Sequence, residues 1–197
     1  MLYGVGVPKL WDETVASHRE AVRDAVLEAA WQLVAERGLS GVSMSQVAER
    51  AGIARATLYK YFPDVGAIVL AWHEREVTSH LQQLAAIRAR NADPAAALQA
   101  VLAGYAGFLR HRGRHGAGLV SFLHRDTHLE PAQQHLLALI EDVLAQAAAA
   151  GAVRTDTPPR ELAAYCLHAL AAAADAPGDA SVHRLVDLVT AGLRPGA

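Results

Sequence analysis

The chain has 197 residues, of which 52% are hydrophobic, 19% charged and only 6% aromatic. That composition excludes a disordered chain and suffices for a core without covalent staples, while the lone cysteine, Cys166, excludes an intrachain disulfide and a cysteine-based zinc centre. A net charge of -2 and a pI near 6.5 exclude a polybasic coat for nucleic acid or membrane, but leave room for a small local DNA-binding surface.

Residues 1–10, with two glycines and Pro8, read as a loose tail. From about Asp12 a helical pattern begins. Val22, Ala25, Val26, Ala29, Ala30, Leu33 and Val34 recur at three- and four-residue spacing and make one apolar stripe. Asp12 or the capping-box pattern Ser17-His-Arg-Glu20 starts this helix, and Gly38 ends it. A short helix follows, capped by Ser43, with Met44, Val47, Ala48 and Ala51 on its buried side and Gly52 as its stop. After Ile53-Ala54 a second short helix, Arg55 to Phe62, is closed by Pro63. A long helix from about Asp64 to Arg90 is expected next, with Ile68, Trp72, Val77, Leu81, Leu84 and Ile87 as its apolar residues.

Asn91-Ala-Asp93-Pro94 is a stop-and-start signal, opening a helix to about His111. Further helices are expected around Leu119–His124, over 131–150, from Pro158 to about Ala174 and from Ala180 to Leu193. No repeat and no period-two strand pattern is visible, so the fold class is all-α.

Two short helices joined by the tight turn Gly52-Ile53-Ala54, braced by a first helix, describe a helix-turn-helix unit. Leu58 and Phe62 anchor its second helix, and Arg55, Ala56, Thr57, Tyr59, Lys60 and Tyr61 project from it. These side chains supply donors for phosphates and base edges and flat surfaces for methyls and sugars. The local cations are Arg50, Arg55 and Lys60.

The stretch from Gly38 to Pro63, and above all Ala-Thr-Leu-Tyr-Lys-Tyr-Phe-Pro at 56–63, resembles the DNA-binding domain of the TetR family of transcriptional regulators. The likeness covers about residues 17–75. It implies an N-terminal three-helix DNA-binding domain (17–63, after a tail over 1–16) and a larger helical effector-binding and dimerisation domain (64–197). It implies a homodimer on a palindromic double-stranded operator, released by a small-molecule effector, and hence a repressor. By position, Ser43 and Ser45 would lie near phosphate and groove, Arg55, Ala56, Thr57 and Lys60 would face bases or backbone, and Tyr59 and Tyr61 would contact phosphate and groove wall. The family often carries a phosphate-binding lysine two residues after the proline. Here that residue is Val65, which leaves the task to the helix N-terminus or to Lys60.

Beyond residue 76 no phosphate-binding glycine loop appears. Trp72, Leu102, Tyr105, Phe108, Phe122, Leu137, Ile140, Tyr165 and His168 are the candidates to line a ligand pocket, or else belong to the core. His111 with His115, and His124 with His128 around Asp126, have helical metal-ligand spacing, but glycines and a loop interrupt both pairs, so no metal and no cofactor are expected. Cys166 and His168 point to different sides of one helix, and no catalytic signature is present, so the chain is not expected to be an enzyme. The alternatives are a helical ligand- or metal-binding protein without DNA binding, and an enzyme on the C-terminal helices. The alanine-rich last two helices, with Leu162, Leu167, Leu170, Leu185, Val186, Val189 and Leu193, are expected to form a four-helix dimer seam. No apolar run reaches the ~18 residues of a membrane span and no signal peptide is visible, so a cytoplasmic protein is expected.

Overall fold

The computed structural model describes residues 9–113 and 130–196, with side chains described over 17–111 and 131–196. Phe122, His115, His124, His128 and the helix expected at Leu119–His124 lie outside the described residues. Among the described residues there are eight α-helices and no strand. The helices are α1 (Lys9–Arg37), α2 (Met44–Arg50), α3 (Arg55–Tyr61), α4 (Val65–Arg90), α5 (Pro94–Gly113), α6 (Glu130–Ala149), α7 (Pro159–Leu170) and α8 (Asp179–Gly192). The chain divides into two compact units, Met1–His73 and Glu74–Ala197. The division falls inside α4 and not at Pro63, because Ile68 and Ala71 are buried with the first unit's core.

In the first unit, α1 begins earlier than the capping signals suggest, so Ser17 and Glu20 lie within the helix. Its buried stripe is Val26, Leu27, Ala29, Ala30, Leu33 and Val34, while Ala25 is exposed. Leu27, absent from the expected stripe, is fully buried. Ser43 caps α2 in a reciprocal box: the Gln46 N–H donates to Ser43 Oγ, and the Ser43 N–H donates to Gln46 Oε1 at 2.9 Å. At the other end of α2, Gly52 has φ +69. Its N–H donates to the Glu49 carbonyl while the Ile53 N–H reaches back to Ala48. This pair of bonds is the Schellman closure, and it needs the left-handed conformation that glycine takes without strain. Ile53 then packs against the core between the two short helices.

Nothing in the sequence of α3 would hold seven residues helical alone, since Ala54 offers no side-chain cap and short isolated helices are marginal in water. Burial supplies the difference. Leu58 is fully buried and Phe62 nearly so, in a cluster with Val26, Leu27, Ala30, Val47 and Ile68. Trp31 of α1 and Trp72 of α4 stack in parallel, with centroids 3.7 Å apart, inside the same unit.

In the second unit α5 is central, touching α6, α7 and α8. Asp93 caps it by accepting from the Ala96 N–H at 2.9 Å. Gly104 lets α4 approach closely, because a Cβ there would come within 3.0 Å of Ile87 and 3.1 Å of Leu84. The core comprises Leu84, Val101, Leu102, Ile140, Leu144, Cys166 and Leu170 with residues of α8. Surface ion pairs Arg88–Asp142 and Arg110–Asp179 link α4 to α6 and α5 to α8. The Arg154 N–H donates to the Leu193 carbonyl at 2.8 Å, which ties the α6–α7 loop to the end of α8. Helix α7 ends at Leu170 and continues as a 3-10 turn to Asp175.

The bulk expected at a dimer seam is used inside the chain. Leu162, Leu170, Val186, Val189 and Leu193 are buried in the unit's own core, and Leu167 and Leu185 pack half-buried against it. What α7 and α8 present outward is different: Tyr165 at 46% and Leu188 at 68% exposure. Tyr165 lies across Gly192, where an added Cβ would meet its hydroxyl at 3.1 Å, and Leu188 sits one turn before Gly192 on the same helix side.

Leu58→Ala should destabilise the first unit by about 2–5 kcal/mol, the usual cost of emptying a fully buried leucine site. Denaturant unfolding followed by tryptophan fluorescence, with Trp31 and Trp72 as reporters, measures it.

Candidate nucleic-acid interface

The outward face of α3 is set by its inward one. With Leu58 pointing to the core, Arg55, Ala56, Tyr59 and Lys60 are left exposed and Thr57 and Tyr61 half-exposed. Tyr59 stands at 46% exposure. Arg55, Ala56, Tyr59 and Lys60 thus form the exposed face of this helix, whereas Tyr61 packs its ring against the core cluster. Arg55 is held in place within it: its Nη2 donates to the Tyr59 hydroxyl at 3.2 Å.

Two other polar groups near this surface are already engaged, Ser43 and Arg50. Ser43 and Ser45 are both exposed at the start of α2. The Ser43 hydroxyl, however, already donates to Gln46 Oε1 at 3.0 Å and accepts from the Gln46 N–H, so it serves the helix cap. Arg50 is closed on Glu36 of α1, with Nη1 and Nη2 donating to the two carboxylate oxygens at 2.9 and 3.1 Å. These bonds hold the Glu36 carboxyl below the ordinary carboxylate range and raise Arg50. Of the three local cations, Arg55 and Lys60 are the ones not committed to a carboxylate. The N-terminus of α4 is occupied too: Asp64 accepts from the Ala67 N–H at 2.8 Å. A carboxylate therefore stands at the start of the helix that Val65 opens. The sequence carried the signal for this, an aspartate directly after Pro63.

The ligand-lining candidates divide. Leu102 and Ile140 are fully buried core residues, with Tyr105, Phe108 and Leu137 half-buried against them. His80 stacks on Phe108 with centroids 4.1 Å apart. Tyr165 and His168 face outward on α7, away from that cluster, and Trp72 lies in the first unit, stacked on Trp31. Two open clefts of about 300 and 310 Å³ lie elsewhere, one at Arg154–Pro159 and one between Asp93–Gln99 and Thr190–Arg194, and neither is lined by a nominated residue. Cys166 is fully buried, and desolvation pushes its thiol up to about 12. A thiol so placed stays protonated and is a poor nucleophile. Among the described residues no group of three histidines, cysteines or carboxylates is arranged to hold a metal, and no helix is long and apolar enough to cross a membrane.

Residues 26–71 match the family described as bacterial regulatory proteins, tetR family. Residues 93–195, more than half of the chain, match the C-terminal domain described as transcriptional regulator SbtR-like. An uncharacterized HTH-type transcriptional regulator of Mycobacterium tuberculosis is 38% identical over 61 residues, covering 31% of this chain and 30% of that protein. The chain spans only 26–31% of the length of the curated relatives it matches. A transcriptional regulator of the TetR/AcrR family from Thermobifida fusca shares the fold, with a TM-score of 0.72 at 19% identity over 87% of this chain and 98% of that one. AibR, solved in complex with isovaleryl coenzyme A and operator DNA, does so with a TM-score of 0.64 at 18% identity over 89% and 100%.

Because Glu36 titrates below its ordinary value in the folded chain, the Glu36–Arg50 link stabilises above the unfolded carboxylate range and is lost as pH falls through the depressed value. Arg50→Ala should return the Glu36 carboxyl upward toward the ordinary range. A side-chain NMR titration reads this directly.

Proposed function

The chain belongs to the TetR family of bacterial regulatory proteins, and from that premise we propose that it is a ligand-responsive, sequence-specific transcriptional repressor in the cytoplasm. The observation that carries the reading is the outward face of α3. Exposed donors, a small residue and two aromatic hydroxyls stand on a helix whose other side is locked into the core by Leu58. That combination suits insertion into a major groove, where the second helix of a helix-turn-helix lies. Arg55, Ala56 and Thr57 face base edges. Lys60, Tyr59 and Tyr61 take phosphate and groove wall, and Ser45 takes backbone at the flank. Lys60 replaces the lysine that the family often carries where Val65 stands.

The functional unit is a homodimer on a palindromic operator, since a two-fold protein reads two equivalent half-sites. The patch of Tyr165, Leu188 and Gly192 on α7 and α8 is the proposed contact between copies. It is apolar, exposed and not required by the chain's own core. A small-molecule effector enters the second unit beside Tyr105, Phe108 and Leu137, where half-buried aromatic surface adjoins Leu102 and Ile140. The complex of AibR with an acyl coenzyme A and operator DNA supports this by likeness of fold. Regulation, and not turnover, is the activity; the buried Cys166 thiol gives no support to nucleophilic catalysis.

Purified protein should bind duplex DNA from beside its own coding region with salt-dependent affinity. Lys60→Ala should weaken binding across sequences and reduce the salt slope by about 1, as loss of one phosphate contact requires. Tyr59→Ala should weaken binding with an unchanged thermal melt. Mobility shifts over a salt series measure both, and unchanged affinity in both variants contradicts the assigned face. Leu188→Asp should turn a dimer into a monomer in sedimentation at micromolar concentration, with helicity retained.

A further inference from the structure

Arg55 and Tyr59 lie one turn apart on α3 and are both exposed. Beyond the 3.2 Å hydrogen bond between them, the Arg55 guanidinium carbon sits 5.4 Å from the centroid of the Tyr59 ring. Two contacts to one neighbour thus fix the guanidinium, and neither involves a carboxylate that would neutralise it. Other cations of the unit are placed differently. Arg50 is closed on both oxygens of Glu36, Arg37 stands 3.9 Å from the same carboxylate, and Arg23 lies 5.8 Å over the Phe62 ring. Lys60 is a point charge without the planar fork of an arginine, well suited to a phosphate.

We propose that Arg55 and Tyr59 form one unit that reads a guanine in the major groove, Arg55 making the bidentate contact and Tyr59 positioning it. The proposal rests on the DNA-binding reading given above. Arg55 is the first residue of α3, and the N-terminal residues of a recognition helix are those that reach base edges. A guanidinium fork matches O6 and N7 of guanine, the commonest specific contact in that groove. Only one edge of the fork is used by the Tyr59 oxygen, so paired donors stay open on another. The Tyr59 hydroxyl accepts from Arg55 and keeps its own proton for a phosphate oxygen, which links base reading to backbone register. Exposed Ala56, next to Arg55, lets the helix approach closely, where a longer side chain would hold it away. Ordering the arginine before binding removes a rotamer cost that otherwise opposes the contact.

The test uses the full chain. A random-pool selection defines the preferred half-site, and competition with single base-pair changes then measures discrimination over a salt series. Arg55→Ala is expected to lose about 5- to 150-fold discrimination at one G·C pair of the half-site, with the salt slope unchanged. Arg55→Lys, which keeps the charge but not the fork, should lose part of the same preference. Tyr59→Phe, which keeps the ring but not the hydroxyl, should lose part of it, at that base pair and no other. Even weakening of all sequences by Arg55→Ala, with a slope lowered by about 1, would make Arg55 a phosphate contact and overturn the proposal. Full discrimination in Tyr59→Phe would overturn the positioning role. If the wild-type chain selects no duplex, the DNA-binding reading itself fails. If it selects one and Arg55→Ala discriminates as before, only the pair assignment fails. Thermal melts of the variants should match the wild type, since both side chains are exposed.

Discussion

The burial of Leu58 is the constraint on which the candidate interface depends. Helix α3 has seven residues and no side-chain cap, and such a segment does not persist in water without tertiary support. Leu58 and Phe62, four residues apart, fix it from one side, and the glycine closure at Gly52 fixes the path into it. Once those are set, the helical period leaves no freedom about what faces outward. Arg55, Ala56, Tyr59 and Lys60 are exposed because Leu58 is not. The exposed face of α3 is thus a consequence of core packing in the first unit.

Charge is used sparingly around this surface. Arg50 is a support for the fold, because Glu36 engages it through both oxygens across fourteen residues of chain. Asp64 caps α4 by accepting from the Ala67 N–H, which puts a carboxylate at the start of that helix. With a net charge of -2, long-range attraction to DNA would be weak, and the proposed recognition rests on close contacts. A prepositioned Arg55 fits that economy, since specificity gained from geometry does not need a large electrostatic field.

How much of this was legible in the sequence follows from the range of each interaction. Ser43, Gly52 and Pro63 act on neighbours within a few residues, so the helix-turn-helix could be read directly from spacing and residue type. The Arg50–Glu36 pair could not, because nothing local brings those positions together. The first unit extends past Pro63 to His73 because Ile68 and Ala71 are claimed by its core, a tertiary fact with no punctuation in the chain. In the second unit, amphipathic helices announce which residues are apolar but not which neighbour takes them. Leu162, Leu170, Val186 and Val189 suit a dimer seam by composition, yet the core of their own unit uses them. Leu188, unremarkable in the pattern, is left exposed beside Tyr165. The ligand candidates suffer the same ambiguity: Leu102 and Ile140 are core, whereas Tyr165 and His168 sit on the opposite side of α7 from it.

The most direct test of the central claim is backbone amide chemical-shift mapping of the full chain titrated with a selected duplex. The account predicts that the largest changes fall on Ser45 and on Arg55 through Tyr61, while Leu58 and Phe62 stay protected from hydrogen exchange throughout. Changes confined to α5–α8, with α3 silent at saturation, would contradict it.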